Sequence, residues 1–384
     1  MTICYVLPGL GGSELYQDSA LTDKVWVSYT RLALGQLGRL RLAPDGASPG
    51  PPDGVQLYPG GPLPDYYGSA IAALAAALSP HGYSVVPWGY DWRLSTQVTG
   101  RLLADRIRRD VTAADPCSLV GHSLGGLVCR LAWASLVGTG ESGLVRRIVT
   151  LGTPHWGSYG PVRIWSRDSE VSQQLWYISL ASIAVFGGAI AVSTGRIWDP
   201  SRVAALTSTW PAVYETLPSL LAPDAGADPN RLVIYSGPWP SDRGVSMAWL
   251  DYARTVYQPL LASAGTLPPA WILTTVGGSG YATVSRLERP QYLGDPRAYV
   301  STGDGDGQVV LSSAILPGSA QIQLTGAHGD LPVITAGLSQ AAAVILDPRV
   351  APDPPPPAQV LPGIYPVQLH GPPSPNVIAI RQDP

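Results

Sequence analysis

A serine between glycines, set where an apolar strand runs into a helix, constrains this chain more than any other feature. The stretch is Gly121-His122-Ser123-Leu124-Gly125. Cys117 to Val120 reads as the strand, and Leu124 to Val137 as an apolar-rich helical run that ends at Gly138. A sharp turn at this point lifts the serine oxygen clear of the sheet, and the glycines relieve the crowding such a turn creates. The backbone N–H that follows can then face a developing oxyanion. The competing reading is a glycine-rich strand-to-helix turn with no chemistry.

An activated serine needs a base, and the chain has five histidines from which to supply one. His81 follows a helix that stops near Pro80, His122 adjoins the serine itself, and His370 lies in a proline-rich tail. His155 follows the strand Ile148 to Leu151 and could line a site, but it precedes any suitable acid. His328, in Thr325-Gly326-Ala327-His328-Gly329-Asp330, sits in a glycine-rich loop between the strand-like Ala320 to Leu324 and an apolar segment from Leu331. It is the best candidate for the base.

The acid is expected from Gly303-Asp304-Gly305-Asp306-Gly307-Gln308-Val309, after the strand-like Arg297 to Ser301. The order Ser, Asp, His is the one an α/β-hydrolase requires. A calcium loop is the rival reading of Asp-Gly-Asp-Gly, and it fails. Counting from Asp304, the sixth position is Val309 and the twelfth Ile315, where an EF-hand needs glycine and glutamate. The residues alone leave Asp304 and Asp306 both open. At the other end of the chain, Ile3 to Leu7 is a short strand followed by Pro8-Gly9-Leu10-Gly11-Gly12-Ser13. Its glycines let backbone N–H groups approach a substrate, so the Leu10 and Leu124 N–H groups are the candidate oxyanion donors. A phosphate loop is disfavoured, because Lys24 is the only lysine and does not follow those glycines directly.

Together these residues resemble a known family. Pro8-Gly9-Leu10-Gly11-Gly12-Ser13, Tyr90-Asp91-Trp92-Arg93, Gly121-His122-Ser123-Leu124-Gly125-Gly126, Thr150-Leu151-Gly152-Thr153-Pro154, Asp306-Gly307-Gln308-Val309 and His328 look like the successive motifs of the lecithin:cholesterol acyltransferase family of α/β-hydrolases. The resemblance spans roughly residues 3 to 335. That family includes phospholipases A and acyltransferases, and carries its catalytic aspartate directly before a Gly-Thr-Val type sequence. The resemblance therefore selects Asp306. This chain departs from the pattern at Gln308, where threonine is usual, and at Leu10, where lysosomal phospholipase members carry a polar residue.

Composition bounds the answer independently. A chain of 384 residues, 45% hydrophobic and 13% charged, can bury a sizeable core. A formal charge of −3 and a single lysine argue against a nucleic-acid surface. Cys4, Cys117 and Cys129 are scattered, odd in number and set in core-like elements, which predicts buried thiols. No Cys/His spacing suggests a metal, and no cofactor is expected. The first strand begins at Ile3 with no basic or apolar leader before it, so a cytoplasmic location is expected.

Strand and helix alternate through the first half. Ser69 to Leu78 reads as a helix and Ser84 to Tyr90 as a strand, while Val98, Leu102, Ile107 and Val111 recur at helical spacing opposite Arg101, Asp105, Arg108 and Arg109. The fold class is therefore α/β, with a mostly parallel central sheet flanked by helices. Asp91 and Arg93 are expected to pair and fix their loop. The expected organisation is a hydrolase core over 1–154 and 271–348, a cap or lid over 155–270, and a proline-rich tail over 349–384. Within the insertion, Trp165, Trp176, Trp198, Trp210 and Trp239 would line the site or pack the cap's own core. Leu175 to Val192 is uncharged and reads as a mobile lid or interfacial segment touching membrane transiently, with a buried helix or a span as rivals. In the tail, Pro352-Asp353-Pro354-Pro355-Pro356-Pro357 is a stiff spacer, after which Val360 to Leu369 and Asn376 to Ile380 form short strands or remain disordered.

The chemistry these residues suit is cleavage of carboxylic esters of acyl lipids or other apolar esters, with Ser123 as nucleophile, His328 as base and Asp306 orienting it. Acyl transfer to an alcohol or amine would use the same groups. A catalytically silent binding protein on this fold is the rival from outside enzymology.

Overall fold

The computed structural model describes residues 1–167, 199–301, 304–333 and 335–347. The expectations for Leu175 to Val192, Trp176, Trp198, His370 and the tail lie outside these residues. In chain order the first part forms β1 (Thr2–Leu7), β2 (Ser13–Tyr16), β3 (Lys24–Trp26), α1 (Tyr29–Ala33), β4 (Tyr58–Pro62), α2 (Pro64–Leu78), β5 (Tyr83–Pro87), α3 (Thr96–Asp110), β6 (Cys117–His122), α4 (Leu124–Gly138), β7 (Val145–Leu151) and α5 (Gly160–Trp165). The second part forms the short helices α6 (Pro200–Thr207), α7 (Pro211–Glu215), α8 (Val233–Ser236), α9 (Met247–Tyr252) and α10 (Gln258–Ala262). It continues with β8 (Leu273–Ser279), β9 (Val284–Leu287), β10 (Tyr299–Ser301), α11 (Leu311–Ala314), β11 (Ala320–Thr325) and α12 (Thr335–Leu346).

The central sheet runs β11-β8-β7-β6-β1-β5, and every neighbouring pair in it is parallel. Its inner strands β1, β6 and β7 are apolar-rich and largely buried because both faces are covered, whereas the edge strand β11 alternates and is mostly exposed. Cys4 and Val6 join Leu74, Leu78, Ala341 and Ile345 on the α2/α12 side. Tyr5 and Leu7 join Leu103, Ile107, Leu127 and Val128 on the α3/α4 side. A one-residue slip of β1 would reverse this alternation. Each large apolar side chain misplaced costs about 1.5–3 kcal/mol, which fixes the register.

The chain leaves β1, builds β5 on one flank, and returns to place β6 on the other. The sheet therefore reverses its winding between β1 and β6, where Leu7 is paired with Gly121. Loops at the carboxyl ends of two such strands splay apart and leave a crevice, the usual binding place in open α/β sheets. Here those loops are Pro8–Ser13 and the turn at Ser123.

Local details follow from the residues. Ser95 caps α3 by accepting from the Gln97 N–H, and Thr99, Leu103 and Ile107 form its buried stripe. Leu102, expected on that stripe, is 39% exposed; it lies one position off the 3.6-residue repeat of the face that packs. The strand expected over Ser84–Tyr90 stops at Pro87, which is tolerated because β5 is an edge strand. The strand expected over Arg297–Ser301 is three residues long and pairs antiparallel with β9 in a side ribbon outside the central sheet. All three cysteines are buried free thiols. Among the described residues, no helix is long and apolar enough to cross a membrane.

Candidate active site

Ser123 stands alone between β6 and α4 with φ 52° and ψ −123°, left-handed backbone that a non-glycine residue adopts only under constraint. The constraint is visible. The Ser123 N–H donates to the Leu151 carbonyl at 2.8 Å, and its own carbonyl accepts from the Gly126 N–H at 3.0 Å. A Cβ at Gly121 would fall 2.6 Å from Gly126 Cα, and one at Gly125 would fall 2.5 Å from the Pro8 carbonyl oxygen. The glycine spacing read from the sequence is thus a packing requirement of the turn.

His328 and Asp306 reach this serine from distant parts of the chain. His328 Nε2 lies 2.9 Å from Ser123 Oγ, and His328 Nδ1 lies 2.7 Å from Asp306 Oδ2. Because Nδ1–H donates to the carboxylate, Nε2 is the acceptor facing the serine hydroxyl. The other carboxylate oxygen accepts from the Gln308 N–H at 3.0 Å and the Val309 N–H at 2.7 Å, and the His328 N–H donates to the Asp306 carbonyl at 2.8 Å. Asp306 and His328 are buried, at 1% and 7% exposed, while Ser123 is half-buried. Asp304, the alternative carboxylate, is exposed. The acid loop does not hang from the strand before it. It is pressed onto the end of β8, where a Cβ on Gly278 would meet Asp306 Cβ at 2.7 Å.

A cavity of about 490 Å³ opens over these groups, within the usual range for small-molecule sites. Leu10 and Leu124 line it beside Ser123. Leu124 is the first residue of α4, so its N–H has no partner within the helix. Across the cavity stand Pro161, Ile164, Ala212 and Val213, from the segment between β7 and β8, and Val284 and Val309 from beyond it. Arg163 and Asp330 add charge to the lining.

One expectation about the lining is corrected, and one open alternative is decided. His155 is not part of the lining: the ring is 1% exposed, with Nε2 3.0 Å from Thr150 Oγ1 and Nδ1 3.3 Å from Arg130 Nη1. Burial and the neighbouring guanidinium hold its pKa well below the usual histidine value. Of the tryptophans within the described residues, Trp165, Trp210 and Trp239 take the packing alternative and do not line the cavity. Trp165 and Trp210 are buried in the main core, where Trp210 packs edge-on to Trp92 at 5.1 Å, and Trp239 packs edge-on to Trp165 at 5.5 Å. Large flat indoles gain most by complete burial, and the cavity lining comes from aliphatic groups together with Tyr66, Tyr67 and Tyr281.

The Tyr90-Asp91-Trp92-Arg93 motif has a structural explanation. Asp91 and Arg93 form a buried two-point ion pair, with contacts of 2.9 and 2.6 Å. Beside it, the Tyr90 hydroxyl donates to the Pro8 carbonyl at 2.7 Å, the Tyr90 N–H to Ser13 Oγ at 3.1 Å, and the Trp92 indole N–H to the Ser13 carbonyl at 3.1 Å. The motif grips both ends of the Pro8–Ser13 loop. Tyr66 and Tyr67 also line the site. Sequence reasoning missed them, since no local spacing ties the start of α2 to Ser123.

Comparison with known proteins agrees with this architecture. The family model for lecithin:cholesterol acyltransferase matches residues 67–177. Among solved structures, a chain of the Tle4-Tli4 complex superposes with a TM-score of 0.52 at 11% identity, covering 90% of this chain and 98% of that one. Bacillus licheniformis lipase BlEst2 in its mature form gives 0.40 at 14% identity, covering 90% and 91%. No curated protein matches the chain. Over residues 67–177 this chain is similar to the lecithin:cholesterol acyltransferase family, and its described body has the α/β-hydrolase fold.

Proposed function

We propose that this protein is a serine hydrolase that cleaves carboxylic ester bonds of acyl lipids or other apolar esters. Ser123 Oγ attacks the ester carbonyl while His328 Nε2 takes its proton. The imidazolium formed is stabilised by Asp306, which also holds the ring in the right tautomer, and it returns the proton to the departing alcohol. The N–H groups of Leu10 and Leu124 bind the oxyanion, each such donor contributing about 3 kcal/mol to transition-state stabilisation. Water, activated by the same imidazole, then releases the acid. In this reading, the described residues of the segment 155–270 belong to a cap that walls the acyl site through Pro161, Ile164, Ala212 and Val213, and these apolar groups select an apolar acyl chain.

The observation that carries the reading is the continuous contact from Ser123 Oγ to His328 to Asp306, 2.9 and 2.7 Å, on the wall of a mainly apolar cavity. A p-nitrophenyl ester series of increasing chain length, run with and without added alcohols and read by mass spectrometry of products, tests it. Free acid should dominate, and a fluorophosphonate should label Ser123. Acceptor-linked ester as the main product would replace hydrolysis by acyl transfer. An unlabelled Ser123 with no turnover would leave a binding protein.

A further inference from the structure

A buried polar chain connects the two loops that the proposed reaction depends on, and its hydrogen positions are dictated by its ends. The Gly9 N–H donates to the Tyr67 hydroxyl oxygen at 3.0 Å. That hydroxyl lies 2.8 Å from His122 Nδ1, and His122 Nε2 lies 3.0 Å from the His328 carbonyl oxygen. A carbonyl only accepts, so Nε2 carries hydrogen. Complete burial and the nearby His328 push the His122 pKa down to about 3, which keeps the ring neutral with Nδ1 as an acceptor. The Tyr67 O–H therefore donates to Nδ1. The order is Gly9 N–H to Tyr67 O–H to His122, then His122 Nε2–H to the His328 carbonyl.

Each end of the chain sits on a group the reaction uses. Gly9 touches the nucleophile: a Cβ there would lie 3.0 Å from Ser123 Cβ and 3.5 Å from Ser123 Oγ. Its carbonyl accepts from the Gly12 N–H at 3.0 Å, closing a turn with Gly11 third at φ +73°, a type II arrangement. With the Gly9 N–H held by Tyr67 and its carbonyl held by Gly12, the turn has little freedom to rotate. The next N–H, that of Leu10, is not used by the turn's own bond, and Leu10 lines the cavity. At the other end, the His328 carbonyl is held by His122 while its N–H is held by Asp306. Tyr66, beside Tyr67 on α2, donates to the carbonyl of Gly329 and holds the same loop from the cavity side.

We infer that Tyr67 and His122 are positioning residues, a one-directional hydrogen-bond strut that sets the Leu10 N–H and the His328 imidazole against Ser123 at the same time. This rests on the hydrolase reading above and adds to it. Neither side chain exchanges a proton with substrate. Their effect appears where oxyanion geometry matters and is absent where the ground-state ester is bound.

Tyr67→Phe removes the hydroxyl and keeps the ring. His122→Asn leaves an acceptor for Tyr67 and removes the donor to His328, so each half of the strut is tested separately. Both variants and the wild type are compared on a short p-nitrophenyl ester for kcat and KM, and on a trifluoromethyl ketone, which forms a tetrahedral oxyanion on the serine. Loss of one oxyanion donor costs about 10²–10³ in kcat, and a donor misplaced but not removed should cost about 10 to 100-fold. We expect that drop in kcat in both variants, an equal weakening of ketone binding, and KM within about threefold of wild type. Unchanged kcat, or a loss confined to KM, or unchanged ketone affinity, overturns the assignment. Wild-type protein that neither turns over esters nor labels at Ser123 overturns the hydrolase reading itself, a separate outcome read before any variant.

Discussion

Glu215, the last residue of α7, is 3% exposed and faces no cation among the groups that hydrogen-bond to it. Oε1 accepts from Ser95 Oγ at 2.5 Å and the Tyr252 hydroxyl at 3.3 Å; Oε2 accepts from the Thr96 N–H at 2.7 Å and Thr96 Oγ1 at 2.6 Å. Two effects oppose each other. Desolvation disfavours the ionised form, and four neutral donors favour it; burial is the larger effect and pushes the pKa up from 4.5 to about 7. Below pH 4.5 the group is protonated in both folded and unfolded chains. Between 4.5 and 7 only the unfolded chain ionises it, so stability falls as pH rises across that window and levels off above it. At 1.36 kcal/mol for each pH unit, the loss is about 3 kcal/mol.

Glu215→Gln removes the ionisation and keeps the shape. The amide oxygen can take the two Thr96 donors while the NH2 donates to the hydroxyls of Ser95 and Tyr252, both able to accept. His122 and His155, held neutral by burial, contribute an opposite slope because the unfolded chain takes up their protons below about 6.5. The difference between variant and wild type isolates Glu215. Urea unfolding at steps from pH 4.5 to 8.5 should show the variant gaining on wild type as pH rises, by about 3 kcal/mol in total. A difference that stays flat, or one that runs the other way, would falsify the claim that burial outweighs the four hydrogen bonds.

Other outcomes follow from the site. Ser123→Ala and His328→Ala should each lower kcat by up to about a million-fold, the scale known for a subtilisin triad, and Asp306→Asn should be severe while Asp304→Asn is mild; steady-state ester hydrolysis checks all four, and a reversed order for the two aspartates would shift the acid to Asp304. Gly125→Ala drives a methyl into the Pro8 and Leu7 carbonyls, at 2.5 and 2.8 Å, so it should cost at least the 1–3 kcal/mol typical of overpacking and displace Ser123; thermal unfolding and fluorophosphonate labelling rate measure the two effects. His155→Ala leaves the buried Arg130 without one of its partners and should lower Tm, with kcat and KM for esters unchanged.

The parts legible in the sequence were those encoded by local pattern. Apolar runs marked the strands, helical spacing marked α3 and α4, and the glycines around Ser123 announced a turn whose crowding the backbone makes explicit. The motif order narrowed the base to His328 and the acid to one of two carboxylates. Other features depended on contacts between residues far apart in the chain. Asp306, and not Asp304, meets His328 because its loop folds back onto β8, although the strand before that loop belongs to a side ribbon. His155 was read as a lining candidate from its place after a strand, and the tryptophans as either lining or packing, yet neither position nor composition says which side of a segment faces the cavity.

What the sequence by itself determined is the alternation of elements and the residue types that this chemistry needs, because both follow from spacing over a few positions. The tertiary structure alone decided which polar groups meet. Tyr67 and His122 are 55 residues apart, and Glu215 lies 119 residues from Thr96. No periodicity links such pairs. They are brought together when a parallel sheet, winding in opposite directions from β1 and β6, gathers the ends of its strands along one edge.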